Sequence, residues 1–230
     1  MLDAVLFAVF PYVAVILAVV VGVYRYFSSR FSYTSHSSQF LENRALFWGS
    51  VPWHYGILVI LLAHVLAALF PDAWAALVGA PARLYILELT GLILALVALV
   101  GLTLLILRRL RDRRVRAVTS VMDWVLLAAL LLQVALGIWV AISYRWGSAW
   151  YLSSITPWLR SLLALNPQIE AVAVLPWVIK LHALGGFVII ALFPFTRLVH
   201  LVTFPITYLW RPYQLVIWNR RARAGQQRRG

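Results

Sequence analysis

The feature that most constrains this chain is a series of long apolar stretches with almost no charge in them. Of the 230 residues, 63% are hydrophobic and 12% are charged, against roughly 25% charged residues in an average soluble domain. A bilayer-spanning helix needs about 20 mainly apolar residues. Five stretches meet that need, at about 4–24, 51–70, 85–107, 117–143 and 171–203. The pattern predicts an all-α integral membrane protein with five transmembrane helices in a single membrane domain over residues 1–230.

The arginines predict how the chain lies in the membrane. Cytoplasmic loops of membrane proteins are enriched in lysine and arginine. Loops 25–50 and 108–116 and the segment from 197 onward hold 16 basic residues, whereas the opposite loops hold 4. We therefore expect the N-terminus outside and residues 204–230 as a cytoplasmic tail. The formal charge of +13 then reflects topology, with contact to anionic lipid or an acidic partner, and no nucleic acid is expected as a partner.

Four of the five histidines fall in or at the ends of only two predicted spans. Ionisable residues inside a span are costly and mark a functional site by default. His54 and His64 belong to the second span, and His182 and His200 to the fifth. Because these spans cross in opposite directions, His54 pairs with His200 near the inner face and His64 with His182 near the outer face. Two imidazoles on facing helices can hold a haem iron from both sides, which predicts two haems between helices two and five.

Helical geometry supports this pairing. At about 1.5 Å of rise per residue, His54 and His64 are about 15 Å apart in depth, and His182 and His200 about 27 Å apart. The two spacings differ, so the line from imidazole to imidazole through each iron must tilt in depth. If the fifth span is one continuous helix, His182 and His200 lie on the same face of it. Pro194 could kink this helix between them.

Four other residues of the fourth and fifth spans have candidate roles, three of them at the haems. Gly185 and Gly186, one turn after His182, would leave room for a porphyrin, although small residues also serve ordinary helix packing. Arg197 could contact a haem propionate or simply reach the inner interface. We expect Asp123 to complement the dipole at the start of the fourth span.

Other uses of four buried histidines are weaker. Two sites of two histidines each, without carboxylates, would be poor zinc sites, and the absence of cysteine excludes thiolate-held metals and a thiol nucleophile. Neutral imidazoles bonded to neighbouring helices, and a bare anchor that has lost haem, are the structural alternatives. A non-haem, proton-coupled transporter is the alternative from another class, but no repeat with broken helices stands out. The residues therefore favour a dihaem b-type cytochrome whose irons have no open position and carry electrons.

Several strings resemble a known family over nearly the whole chain, the gamma subunit of the membrane-bound respiratory nitrate reductase. The most specific are the histidine spacings of ten and eighteen and the following strings: His54-Tyr55-Gly56-Ile57-Leu58, Ala63-His64, Leu181-His182, Leu192-Phe193-Pro194-Phe195-Thr196-Arg197-Leu198-Val199-His200 and Tyr213-Gln214-Leu215-Val216.

The resemblance implies a function. It implies two haems b, with His54 and His200 on the inner iron and His64 and His182 on the outer iron, in a multi-pass protein of a prokaryotic cytoplasmic membrane. The subunit would oxidise a membrane quinol near the outer haem. Electrons would pass to an iron–sulfur beta subunit and a molybdenum-cofactor alpha subunit that reduces nitrate. This chain would hold no nitrate site and no catalytic residue of its own.

The resemblance also implies a quinol site. Its basic residue falls best on Arg83, where lysine is usual, and the small residue before the outer ligand is Ala63, where glycine is expected. Glu88 could accept a proton from the quinol or could be an interfacial carboxylate. The remaining alternative within this class is a related dihaem subunit that serves another terminal reductase, for instance one acting on a sulfur compound.

Overall fold

The computed structural model describes residues 1–28 and 44–203. The predicted tail, 204–230, lies outside the described residues. Within the described part, five helices are long and apolar enough to cross a membrane, as the sequence predicts. We label them in chain order, with their bounds, as α1 Leu2–Ser28, α2 Arg44–Leu69, α3 Pro81–Arg111, α4 Val121–Ser143 and α5 Trp177–Leu192. The fifth reaches the length of a span only together with the 3-10 turn that follows it, as Trp177–Phe195.

Several helices differ in length from the apolar stretches that predicted them. α2 begins at Arg44 and α3 runs for 31 residues to Arg111. At about 1.5 Å per residue, α3 is roughly 46 Å long, more than a hydrocarbon core of about 30 Å. The helix is therefore longer than one crossing needs, and its last turn holds Arg108, Arg109 and Arg111. A short helix follows, Arg113–Ala117, whose first turn is capped by the Asp112 carboxylate.

The last predicted span, 171–203, is interrupted. α5 ends at Leu192 and is followed by two 3-10 turns, Phe193–Phe195 and Arg197–Val199, and a short helix, His200–Thr203. Pro194 has no N–H to continue the helix, and Thr196 has extended backbone with φ −123° and ψ 178°. His182 and His200 therefore do not share the face of one continuous helix, because the helix ends between them.

Close packing fixes α2 against α3. A Cβ added at Gly101 of α3 would lie 2.5 Å from the backbone nitrogen of Trp53 and 2.7 Å from the carbonyl oxygen of Gly49. Only glycine permits this approach of the two backbones. Trp53 is buried there against Ala98 and Leu102. The helix that carries His54 and His64 is thus held on a rigid neighbour.

α5 is linked to the α2–α3 pair through α4, which packs on both α3 and α5. It packs against α1 and α4, while α2 packs on α3. In the described part of the chain, α2 and α5 are not closely packed on each other. The histidines of these two helices therefore face each other across a gap.

The connection between α4 and α5 forms a cap at the end of the bundle that holds His64, which we call the His64 end. Trp158 is buried, and its indole N–H donates to the Phe7 carbonyl at 2.8 Å. Phe7 lies in a π-helical turn of α1, Val5–Val9. Lys180 also pairs with Asp3 at 3.1 Å. These contacts attach the cap and the start of α5 to α1.

Candidate functional site

Two histidine pairs lie in the gap between α2 and the last span. The ring centroids of His54 and His200 are 6.1 Å apart, with the ring planes at 76°. Those of His64 and His182 are 6.5 Å apart, at 56°. The structure thus brings together the partners that antiparallel spans predict, one pair at the His64 end and one at the opposite end, which we call the His54 end.

These separations fit a single metal ion between each pair of rings. A metal–imidazole bond is about 2 Å long, so two of them plus the inner half of each ring place the centroids roughly 6 Å apart. Groups of three or more His, Cys, Asp or Glu residues that could hold a metal do not occur within residues 1–28 and 44–203. Each pair therefore offers two nitrogen ligands, which suits the two axial positions of a haem iron and not a four-ligand zinc site.

Backbone carbonyls select the same tautomer in three of the four imidazoles. Nδ1 lies 2.7 Å from the Ser50 carbonyl oxygen in His54, 2.8 Å from that of Ile60 in His64, and 2.5 Å from that of Arg197 in His200. A carbonyl only accepts, so Nδ1 carries the proton. Nε2 then keeps its lone pair for a metal.

His182 is held differently, by α4. Its Nδ1 is buried and has no hydrogen-bond partner among the described residues. Its backbone carbonyl accepts a hydrogen bond from Gln133 Nε2 at 2.9 Å. A Cβ added at Gly137 would lie 2.9 Å from Cε1 of the His182 ring. Neither Gln133 nor Gly137 was predicted from the sequence, although a polar amide inside an apolar span is a usable signal.

The two glycines after His182 have different neighbours. A Cβ at Gly185 would collide with Oε1 of Gln133, whereas a Cβ at Gly186 would meet nothing within 4 Å. The open space beside α5 that could admit a macrocycle therefore lies at Gly186. The space beside Gly185 is occupied by the side chain of Gln133 of α4.

Arg197 lies at the His54 end with a partner that the sequence analysis did not assign to it. Its Nε and Nη2 donate to the two carboxylate oxygens of Asp123, at 2.6 and 3.0 Å. Asp123 also forms a capping box with Ser120 at the start of α4. Asp123 therefore complements the helix start, as expected. It also holds Arg197, for which the sequence left open a propionate contact or the inner interface.

Tyr151 covers the His64 ring at the other end. The two rings are 5.9 Å apart and nearly perpendicular, and the tyrosine hydroxyl donates to the His64 carbonyl at 3.4 Å. Burial raises the pKa of Tyr151 to about 12. The hydroxyl therefore stays protonated, and stays a donor, at any ordinary pH.

Two of the three residues named for the quinol share a cavity. Arg83 and Ala63 line an apolar cavity of about 400 Å³ between α2 and α3. Arg83 donates to the carbonyl oxygens of Leu77 and Ala76, at 2.7 and 2.9 Å. Glu88 is not among the lining residues.

Glu88 instead joins α3 to the cap. Its carboxylate accepts the backbone N–H of Ser148 at 2.7 Å. The sequence left two roles open for Glu88, proton acceptor or interfacial carboxylate. The structure gives its carboxylate a structural contact.

Comparisons with known proteins identify a family that this chain resembles along most of its length. The profile of the nitrate reductase gamma subunit family matches residues 3–219. A nitrate reductase gamma chain of Bacillus subtilis is 31% identical over 221 residues, 95% of this chain and 98% of that protein. The respiratory nitrate reductase 2 gamma chain of Escherichia coli is 29% identical over 220 residues, 94% of this chain and 96% of that protein. A nitrate reductase-like protein NarX of Mycobacterium tuberculosis is 34% identical over 220 residues, 93% of this chain but 33% of that protein. The chain thus spans about a third of the length of the last relative.

Proposed function

Because the chain belongs to the nitrate reductase gamma subunit family, we propose that it is the quinol-oxidising dihaem cytochrome b subunit of a respiratory nitrate reductase. The observation that carries this proposal is the pair of facing imidazoles at each end of the α2–α5 gap, at centroid separations of 6.1 and 6.5 Å. His54 and His200 would hold one haem b, and His64 and His182 the other. Each haem, when bound, supplies one-electron transfer at an iron with no open position.

The protein residues around the histidines orient these ligands. The carbonyls of Ser50, Ile60 and Arg197 select the tautomer of three neutral histidines in which Nε2 can bind a metal. Tyr151 covers the ring of His64. The helices around the gap are largely apolar, and such surroundings tune the reduction potential of a metal held there.

The cavity beside Arg83 and Ala63 supports a quinol site at the His64 end. A guanidinium has five N–H donors, and Arg83 donates from Nε and Nη2 to two carbonyls, so donors remain for a quinol oxygen. The rest of the lining is largely apolar, including Val59, Ile86 and Leu94. Such walls suit a ring with an isoprenoid tail. We propose that this end faces outward and that quinol protons leave there.

Electrons would leave at the opposite, cytoplasmic end. The arginine-rich end of α3 and the Arg113–Ala117 helix present exposed arginines, which suit docking to a protein surface of opposite charge. The iron–sulfur beta subunit and, through it, the molybdenum-cofactor alpha subunit are the proposed partners.

The decisive experiment is a dithionite-reduced minus air-oxidised visible spectrum of the purified protein, with haem and protein quantified. We expect two low-spin b haems per chain. A folded sample made with haem available that contains no haem would overturn the cytochrome proposal.

The partner needs its own measurement. Co-purification with the two other subunits and quinol-dependent nitrate reduction by the assembled complex would support it. A complex that forms with another terminal reductase, and reduces a sulfur compound instead, would replace nitrate as the acceptor.

A further inference from the structure

α4 carries no histidine, yet it contacts both ligand-bearing segments of the last span. We infer that α4 positions both of these ligands: Gln133 and Gly137 position His182, and Asp123 positions His200 through Arg197. The inference rests on the proposed dihaem function and adds residues that act through the ligands without touching the iron.

The attachment to His182 has two parts on one face of α4. Gln133 and Gly137 are four residues apart, so they lie above each other on the helix. The Gln133 amide donates to the His182 carbonyl at 2.9 Å, and its oxygen occupies the space that Gly185 leaves free. This insertion fixes how far α5 can slide along α4.

Gly137 fixes the ring itself. The His182 ring lies where a side chain on α4 would be, because a Cβ at Gly137 would be 2.9 Å from Cε1 and 3.6 Å from Nδ1. Among the described residues, His182 lacks the carbonyl contact at Nδ1 that holds the other three rings. Contact with the bare backbone of Gly137 therefore takes over the orienting role.

The attachment to His200 is needed because α5 ends before it. The chain leaves the helix at Leu192 and passes through extended Thr196, so α5 cannot set the position of His200. Asp123 is 4% exposed, and both of its carboxylate oxygens accept hydrogen bonds from the Arg197 guanidinium. The Arg197 carbonyl oxygen in turn accepts a hydrogen bond from His200 Nδ1–H, with Nδ1 and the oxygen 2.5 Å apart. The carboxylate of α4 thus acts on the ring through one intervening residue.

The two attachments are far apart on α4, so they should act on different haems. Residues that orient a metal-bound histidine usually change metal affinity by about 10–100-fold when they are replaced. Changes of ring orientation also alter the reduction potential and the spectrum of the metal. A change at one attachment should therefore move the signals of one haem and leave those of the other.

The test uses the full chain in membranes, co-expressed with its partner subunits. Haem per chain, low-temperature electron paramagnetic resonance of the two low-spin haems and potentiometric titration are measured for Gly137→Ala, Gln133→Leu and Asp123→Asn. The signals are assigned to the two sites with His64→Ala and His54→Ala. Ala135→Leu is the matched control, since Ala135 is exposed on the same helix.

We expect Gly137→Ala and Gln133→Leu to shift the signals, or lower the occupancy, of the His64–His182 haem only. Asp123→Asn should do so for the His54–His200 haem only, and Asp123→Glu should restore part of the native signal. Gln133→Leu adds little bulk, so it tests the same attachment if Gly137→Ala does not assemble.

Unchanged signals in all three variants, or equal changes of both haems in each, would overturn the inference and leave the dihaem function standing. A wild-type protein without haem would instead overturn the proposed function.

Discussion

At the residue scale, the histidines differ in how their second ring nitrogen is held. Three rings donate Nδ1–H to a carbonyl three or four residues earlier in their own chain segment. That contact is local, so it survives separation of the helices. His182 has no such contact in the described residues, so its geometry depends on α4.

Single-histidine variants test the pairing. His64→Ala and His182→Ala should each remove the haem at the His64 end, and His54→Ala and His200→Ala the haem at the other end. Each variant should fall from two haems per chain to one, because one imidazole does not supply both axial ligands. The number of haems per chain is measured in each variant from its visible spectrum and protein content. If all four variants kept both haems, the ligand assignment would be wrong.

Arg83 offers a test of the quinol cavity. Arg83→Ala removes a charged donor, and a hydrogen bond to a charged group contributes about 1.5–3 kcal/mol. We therefore expect quinol affinity to fall by about 10–100-fold with haem content unchanged. Arg83→Lys keeps the charge and should lose less.

Steady-state quinol oxidation gives the KM that checks this expectation, and Arg160→Gln, an exposed basic residue elsewhere at the same end, is the control. An Arg83→Ala protein with a native KM would remove Arg83 from the quinol site.

At the element scale, the glycine contacts between α2 and α3 set the position of two ligands. The atoms that a Cβ at Gly101 would meet belong to the backbone of α2, which cannot move aside as a flexible side chain can. The packing is therefore intolerant of even one methyl group.

Gly101→Ala should consequently destabilise the protein, by about 1–3 kcal/mol for an overpacked site, and lower the thermal unfolding temperature in detergent. Gly91→Ala is the matched control on the same helix, because a Cβ there meets nothing within 4 Å. Equal unfolding temperatures for the two variants would show that α2 and α3 do not approach this closely.

The elements themselves were largely predictable, and the reason is physical. Length and apolarity determine where a helix can cross a bilayer, so five spans could be read from the sequence and occur in the structure. The end of α5 was only partly predictable. Pro194 signals a break, but the extended backbone at Thr196 depends on how Arg197 is held by another helix.

At the scale of the whole molecule, pairing by depth predicted which histidines would face each other, because antiparallel crossing places residues at fixed heights. Contacts between α4 and α5 followed no such rule. Gln133 and Gly137 had no spacing that linked them to His182, and the Asp123–Arg197 pair joins residues 74 positions apart in the sequence. Such contacts depend on which helices are neighbours, which hydropathy does not determine.

The arginine-rich end supplies the last prediction. Arg113, Arg114 and Arg116 are exposed on a short helix that the Asp112 carboxylate caps, so they are presented outward together. Replacing all three with glutamine should weaken docking of the partner subunits roughly tenfold, since exposed ion pairs contribute about 0.2–1 kcal/mol each. The native attachment should likewise weaken as salt is raised, because exposed charges are screened.

The haem spectrum of this triple variant should be unchanged, because none of the three arginines contacts a histidine in the described structure. Quinol-dependent reduction of nitrate by the complex should fall, while quinol oxidation by an artificial acceptor should persist. Arg145→Gln with Arg160→Gln, two exposed arginines near the His64 end, is the control. If the control variant lost the partners and the triple variant kept them, the opposite end of the bundle would be the docking side, and the proposed orientation in the membrane would have to be reversed.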